Sequence, residues 1–331
     1  MESRIETIAS GGWTVSIRKR IRLGMPNPKY KFSGHQTFVF RHGWLEKGVR
    51  GVAESPTIFS EENALVRLGV GKNMVESIRH WCQVTQLIAL DDGDKGSSGP
   101  HLKVSEIARR LLLDGGWDPF LEDDASLWLI HWLLVSNPDV GTAWQLLFST
   151  FHRPDFTKRE LVDYFTSFAA KESLKVTNTV LARDVDCLVR TYAVSPIGKK
   201  KSSPEETFDC PLLQLNLIQP SPDGEMYRFA IGPKPSLPAA IFAFALYQYF
   251  DKVRAGRNTM GVQECLYGPG SPGQAFKLDE NSLIEYVEDM EEQTRGAVLL
   301  DETAGLKQIY RRQAFDPIRV LSDYYRGGRR S

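Results

Sequence analysis

Two short runs near the start of the chain carry side chains suited to phosphodiester chemistry: Ser33-Gly34-His35-Gln36 and Arg41-His42. An imidazole titrates near neutral pH and can serve as a general base, a guanidinium can stabilise a pentavalent phosphate, and a glycine lets backbone approach a phosphate closely. His35 with Arg41 is therefore the candidate catalytic pair, although the spacing alone assigns no catalytic residue. The competing reading is a buried, hydrogen-bonded histidine that pins an aromatic-rich segment to its neighbours.

Other chemistries find less support. Cys82, Cys187, Cys210 and Cys265 are far apart, with no Cys-x-x-Cys or His-x-x-x-His pair to suggest zinc or a disulfide frame. Nucleases that use metal need clustered carboxylates. Pro154-Asp155 and Pro222-Asp223 lack a partner at strand spacing, and Asp91-Asp92-Gly93-Asp94 reads as a solvated turn rather than a calcium loop. Gly69-Val70-Gly71-Lys72-Asn73 has Val66 and Asn73 where a phosphate-binding loop needs Gly and Ser or Thr. No cofactor is assigned.

The elements that would position these residues lie mostly between residues 60 and 112. Ser60 is placed as an N-cap, with Glu61 and Glu62 in the first turn and Ala64, Leu65 and Leu68 at helical spacing, and Gly69-Val70-Gly71 breaks that helix. A second helix from Lys72 puts Met74, Val75, Ile78, Trp81 and Cys82 on one stripe and Lys72, Asn73, Glu76, Arg79, His80 and Gln83 opposite. Residues 87–90 and 101–104 then read as a hairpin around a turn, and a new helix opens at Ser105. Helix, turn, helix and hairpin in that order describe a winged helix, whose second helix enters a major groove. The expected DNA contacts on it are Lys72, Asn73, Ser77, Arg79, His80 and Gln83. The competing reading is that this face packs against another domain and reads nothing.

The same grammar recurs. Helices are expected over 156–169, 178–192, 238–253, 262–267, 281–293 and 317–325, and strands over 212–219, 226–231, 297–300 and 306–310. The Gly268-Pro269-Gly270-Ser271-Pro272-Gly273 run is read as neither helix nor strand. The fold class is mainly α with small β-hairpins, as serial winged-helix or helix-turn-helix-like units. The division expected is a basic arm over 1–30, a DNA-binding winged helix over 31–135, a middle unit over 136–235 and an acidic, partner-docking unit over 236–331. All seven Trp fall in the first 150 residues, and residues 136–139 or 195–204 read as junctions.

Forty-one Lys and Arg balance 41 Asp and Glu, but unevenly. From Ser16 to Arg50 nine basic residues face one acidic, a balance of +8, and from Asp279 to Glu302 nine acidic residues face one basic, −8. Arg18, Lys19, Arg20 and Arg22 lead the basic end, with Trp13, Tyr30, Phe32, Phe38, Phe40 and Trp44 interleaved, so that end could track phosphates or stand as a solvated arm. At 331 residues with 42% hydrophobic content, disordered and disulfide-scaffold classes are excluded. No apolar run approaches a membrane span, Gln248 interrupting the nearest, and no secretion signal is read, so the expected compartment is the cytoplasm.

Residues 32–48, Phe-Ser-Gly-His-Gln-Thr-Phe-Val-Phe-Arg-His-Gly-Trp-Leu-Glu-Lys-Gly, and residues 64–82 resemble the SspB-like family of Ssp-type DNA phosphorothioation systems. The resemblance runs on through residues 267–273 and 302–306, covering nearly all of the chain after Lys29, and fades in the Arg-rich extension. It implies replacement of a non-bridging phosphate oxygen by sulfur, in antiphage defence, together with a sulfurtransferase and an ATPase. Double-stranded DNA is the implied partner, and the implied activity is strand nicking, with a divalent metal expected only if that activity holds. Two other readings stay open: a non-catalytic DNA reader that recruits the sulfur-transfer enzymes, and a winged-helix transcription regulator.

Overall fold

The apolar stripes of the sequence decide where helices form and which faces they bury. A computed structural model describes residues 29–91, 100–194, 210–253, 256–303 and 305–327. Arg18, Lys19, Arg20 and Arg22, the turn after Asp91 and the junction at 195–204 lie outside the described residues. Helix α1 (Trp44–Glu54) buries Trp44, Leu45, Val49 and Val52. The five-residue α2 (Ala64–Leu68) ends at Gly69, whose φ of 62° is the left-handed cap that glycine adopts without strain. Ser60 is not an N-cap: it closes a 3-10 turn, and the helix begins four residues later at Ala64.

Helix α3 (Lys72–Val84) follows, then strands β1 (Ile88–Leu90) and β2 (Leu102–Val104), paired antiparallel with Ile88 opposite Val104. Ser105 caps α4 (Glu106–Leu112) by accepting from the Ala108 amide at 3.2 Å. Gly48 lets α1 and α3 touch. A Cβ there would sit 2.5 Å from the Cys82 sulfur and 2.9 Å from Ile78.

Two helices that the sequence reading passed over form the centre. In α5 (Asp124–Val135) every residue from Ala125 onward is buried, and α6 (Thr142–Ser149) is nearly as enclosed. An all-round apolar helix shows no stripe, and it belongs in a core rather than on a surface. The turn at 136–139 joins these two helices and is no linker, since Asn137 donates to the carbonyls of Gln83 and Val84 at 3.3 and 3.1 Å. The core is continuous from residue 39 to residue 325.

The order short strand, helices, hairpin then occurs twice, with two α-helices in the first case and three in the second. In the first, β3 (Asp155–Thr157), α7 (Lys158–Lys171), α8 (Asn178–Tyr192), β4 (Ile218–Pro220) and β5 (Met226–Phe229) form an antiparallel sheet ordered β3-β5-β4. After α9 (Ala239–Val253), the second consists of β6 (Thr259–Gly261), α10 (Val262–Tyr267), α11 (Pro272–Phe276), α12 (Glu280–Gln293), β7 (Val298–Thr303) and β8 (Leu306–Arg311). Its sheet is ordered β6-β8-β7. In both, the strand before the helices pairs with the last strand of the hairpin. Helix α13 (Pro317–Gly327) packs on α9. The chain is thus mainly α, with thirteen α-helices among the described residues and three small antiparallel sheets.

Three expectations are corrected. The helix placed from Phe156 starts at Lys158, because Phe156 lies in β3 and Thr157 with Glu160 forms a reciprocal cap. Residues Pro211–Leu215 are 3-10 helix rather than strand, with proline opening the turn and Asn216 closing it at φ 48°. Pro272–Phe276 is helical after all, proline taking the first position under a Ser271 cap.

Several polar groups in the core find partners on distant elements. Gln248, the break in the apolar run, accepts from the Trp132 indole at 2.7 Å, and Ser236 accepts from Trp128 at 3.1 Å. Buried Lys234 donates to the carbonyls of Ala230, Gly232 and Lys277 at 2.8, 2.7 and 3.2 Å. The close crossing at Gly48 yields a prediction. Gly48→Ala should cost about 1–3 kcal/mol, read from urea unfolding at 25 °C, because the added methyl overfills the α1–α3 contact.

Candidate nucleic-acid interface

Residues 29–40 run as an extended strap that ties the first unit to the second. Its backbone is anchored at Lys29, whose amide donates to Asp139 (2.9 Å), and at Lys31, whose amide donates to Thr142 (2.7 Å). Tyr30 and Phe32 set their rings against Phe168 and Phe165 of α7.

The strap then turns sharply around His35. The Asp184 carboxylate on α8 accepts from the Ser33 amide at 2.8 and 3.1 Å and sits 3.0 Å from His35 Nε2. The Thr37 amide donates to His35 Nδ1 at 3.0 Å, so Nδ1 is an acceptor and Nε2 carries the proton given to Asp184. From α3, the Ser77 hydroxyl donates to the His35 carbonyl at 3.0 Å and the Trp81 indole to that of Phe38 at 3.1 Å. Arg190 of α8 donates to the Thr37 carbonyl at 2.6 Å.

This geometry sorts the expected site residues. His35 and Asp184 side chains are each only 2% exposed, and both ring nitrogens of His35 are engaged by protein groups. A general base needs a lone pair facing substrate. His35 holds the strap through both ring nitrogens and its carbonyl. Ser33 and Gly34 serve the same bend at φ 72° and 111°, Gly34 lying so close over the His80 ring that a Cβ would be 2.5 Å from its Nδ1. Gln36 is exposed and donates to Glu76 on α3 at 2.6 Å. Arg41 lies apart from His35's imidazole partners and places its guanidinium over Trp44 and Phe38, 5.5 and 5.9 Å from their centroids.

On α3, Lys72, Asn73 and Glu76 are exposed, and Arg79 and Gln83 are half-buried. Lys72 and Arg79 enter no ion pair among the described residues. Ser77 and His80 are corrected: both are buried beneath the strap, Ser77 bonded to it, so neither can meet a duplex on this surface. The cause is the strap, which covers the side of α3 between its polar and apolar stripes.

Two histidines are held neutral by their surroundings. Burial, and secondarily His35 and Lys31, pushes His80 down to about 3, and burial pushes His131 down to about 3. His131 is bonded on both sides, to the Tyr192 hydroxyl at 2.7 Å and the Ala275 carbonyl at 2.8 Å, whereas His80 Nε2 has no partner among the described residues. Among the described residues no group of three His, Cys, Asp or Glu is placed to hold a metal ion, and no helix is long and apolar enough to cross a membrane.

Sequence reasoning did not single out Asp184. One signal could have found it: it falls on the apolar stripe of Leu181, Val185 and Leu188, where a charged residue demands buried partners.

With the fold in view, a mainly α chain whose units repeat around a pinned strap, the comparisons place it. The family described as protein of unknown function (DUF4007) matches residues 32–325, and the chain belongs to that family. It is similar to a crystal structure of SspB, 30% identical with a TM-score of 0.80, covering 89% of this chain and 88% of that one. It is also similar to a magnesium ion-bound SspB crystal structure, 29% identical with a TM-score of 0.79 over the same shares. The resemblance to the SspB-like family is borne out over nearly the whole length. No curated protein matches the chain.

The buried pair and the buried rings each generate a prediction. Asp184→Asn turns an amide toward donors, and should cost roughly 2–3 kcal/mol in urea unfolding. His35→Ala should cost a similar amount, and the two effects should be far from additive. For His80 and His131, the unfolded chain binds protons below about pH 6.5 that the folded chain refuses until about pH 3. Their contribution is complete above pH 6.5 and is lost as pH falls through that window, by about 1.4 kcal/mol per pH unit for each ring. His80→Leu should therefore flatten the acid limb of stability against pH by about one proton.

Proposed function

We propose that this chain is the DNA-contacting component of a bacterial phosphorothioate modification system, acting in the cytoplasm beside a sulfurtransferase and an ATPase. The observation that carries this reading is the similarity to SspB across 89% of the chain. We read the recurring units as winged helices, with the first presenting α3 to the major groove.

Chemistry supports that choice of face. Lys72 and Arg79 are cations able to meet phosphates or guanine edges, and Asn73 and Gln83 are amides able to read adenine. Glu76 stands among them and would repel phosphate, yet its carboxylate is already engaged by Gln36. The exposed acids of α12, Glu280, Glu285, Glu288, Asp289, Glu291 and Glu292, suit a basic protein surface and disfavour DNA there. The division proposed with it is a basic arm, one DNA-binding winged helix over 31–135, a middle unit over 136–235 and an acidic docking unit over 236–331, with Arg18, Lys19, Arg20 and Arg22 adding phosphate contacts.

Strand nicking is a second reading, favoured by the magnesium ion-bound state of one similar structure. Among the described residues no group of three His, Cys, Asp or Glu is placed to hold a metal ion, and a magnesium ion held by one or two carboxylates and waters would need no such group. We derive no step through a metal, and His35 and Arg41 remain without a substrate-facing role. Conversion of supercoiled plasmid to open circle by the purified chain, abolished by chelator, would support nicking, and plasmid left intact would favour a non-catalytic reader.

The DNA reading itself is tested on α3. Lys72→Glu and Arg79→Glu should each weaken duplex binding, and for every phosphate no longer neutralised the slope of log affinity against log salt should become shallower by about 0.9. Unchanged affinity in both variants would remove α3 from the interface.

A further inference from the structure

At the tip of the strap, Gln36 and Thr37 adopt φ of 49° and 65°, and the Phe38 amide closes back on the His35 carbonyl at 2.9 Å. These are the φ signs of a type I′ turn, for which Asn-Gly is the favoured pair. Threonine, branched at Cβ, is among the residues that tolerate this conformation least. A turn of this kind costs folding free energy and persists only where its surroundings force it. The surroundings here do so: Asp184 holds Ser33 and His35, His35 holds the Thr37 amide, and Arg190 holds the Thr37 carbonyl.

Both side chains at the tip are nonetheless exposed, so no core contact accounts for the strain. The tip lies between two elements. Gln36 reaches Glu76, one helical turn from Lys72 and from Arg79 on α3. Thr37 touches Arg190, which shares a face of α8 with Asp186 and Arg183. The acids on these faces already have donors, Glu76 from Gln36 and Asp186 from Lys158 and Arg190. Lys72, Arg79 and Arg183 enter no ion pair among the described residues, which leaves the surroundings of the tip net positive.

We infer that the Gln36–Thr37 turn is a contact point for duplex DNA, a polar tip held between α3 and α8 and pressed onto the duplex alongside them. The inference rests on the DNA-contacting function proposed above. A Gln amide is suited to adenine and a Thr hydroxyl to a base or a phosphate, whereas Asn-Gly would suit the backbone better and present less to a ligand. The strain is thus retained for the side chains it displays.

The test replaces the pair in the full chain, Gln36→Asn with Thr37→Gly, and compares melting temperature and duplex affinity with the parent. The inference expects a higher melting temperature together with roughly tenfold weaker binding, the scale of removing one bidentate hydrogen-bond pair to a base. Retained affinity would overturn it. A lower melting temperature would overturn the strain argument beneath it. A parent chain that binds no duplex at all would instead overturn the DNA reading itself, so the two failures are separable.

Discussion

The carboxylate of Asp184 is the constraint on which the arrangement of this protein depends. A buried anion must be met by donors, and this one is met by the Ser33 amide and by the proton on His35 Nε2. Because the donors belong to the strap and the acceptor to α8, the first unit is locked to the second. The strap in turn offers its His35 and Phe38 carbonyls to Ser77 and Trp81 of α3. The two helices that flank the tip are thereby held in one geometry through a handful of hydrogen bonds among buried groups. The same geometry engages both ring nitrogens of His35 with protein groups.

Neutral net charge conceals a divided molecule. The first unit and its flank carry cations outside any ion pair among the described residues, and α12 carries a row of exposed carboxylates. A polyanion approaching such a chain is attracted to one end and repelled from the other, which orients it before any specific contact forms. The continuous core prevents the ends from reorienting freely, because α5, α6 and α9 are shared between units and the α5 indoles of Trp128 and Trp132 are hydrogen-bonded to Ser236 and Gln248.

Much of this was legible in the sequence, for identifiable reasons. Amphipathic helices such as α3, α8 and α12 announce themselves by a stripe and a break, and the hairpin of β1 and β2 by alternation around a turn. Helices α5 and α6 were missed because uniform burial erases the stripe. Strand β3 was missed because three residues are too few to show a period, and α11 because a proline at a helix start looks like a helix breaker. At the site, exposure of Lys72, Asn73 and Glu76 followed from helical phase alone. Burial of Ser77 and His80 did not, because the strap that covers them comes from about forty residues away. The partner of His35 lies 149 residues along the chain, and only a carboxylate on an apolar stripe hinted at it.

The central claim is that the face formed by α3 and the strap tip meets DNA. Photo-crosslinking of the full chain to a duplex carrying halogenated deoxyuridine, with the attached peptides mapped by mass spectrometry, tests it most directly. The account predicts attachment within residues 33–38 and 72–83. Attachment confined to residues 239–327, around the acidic helix, would contradict it.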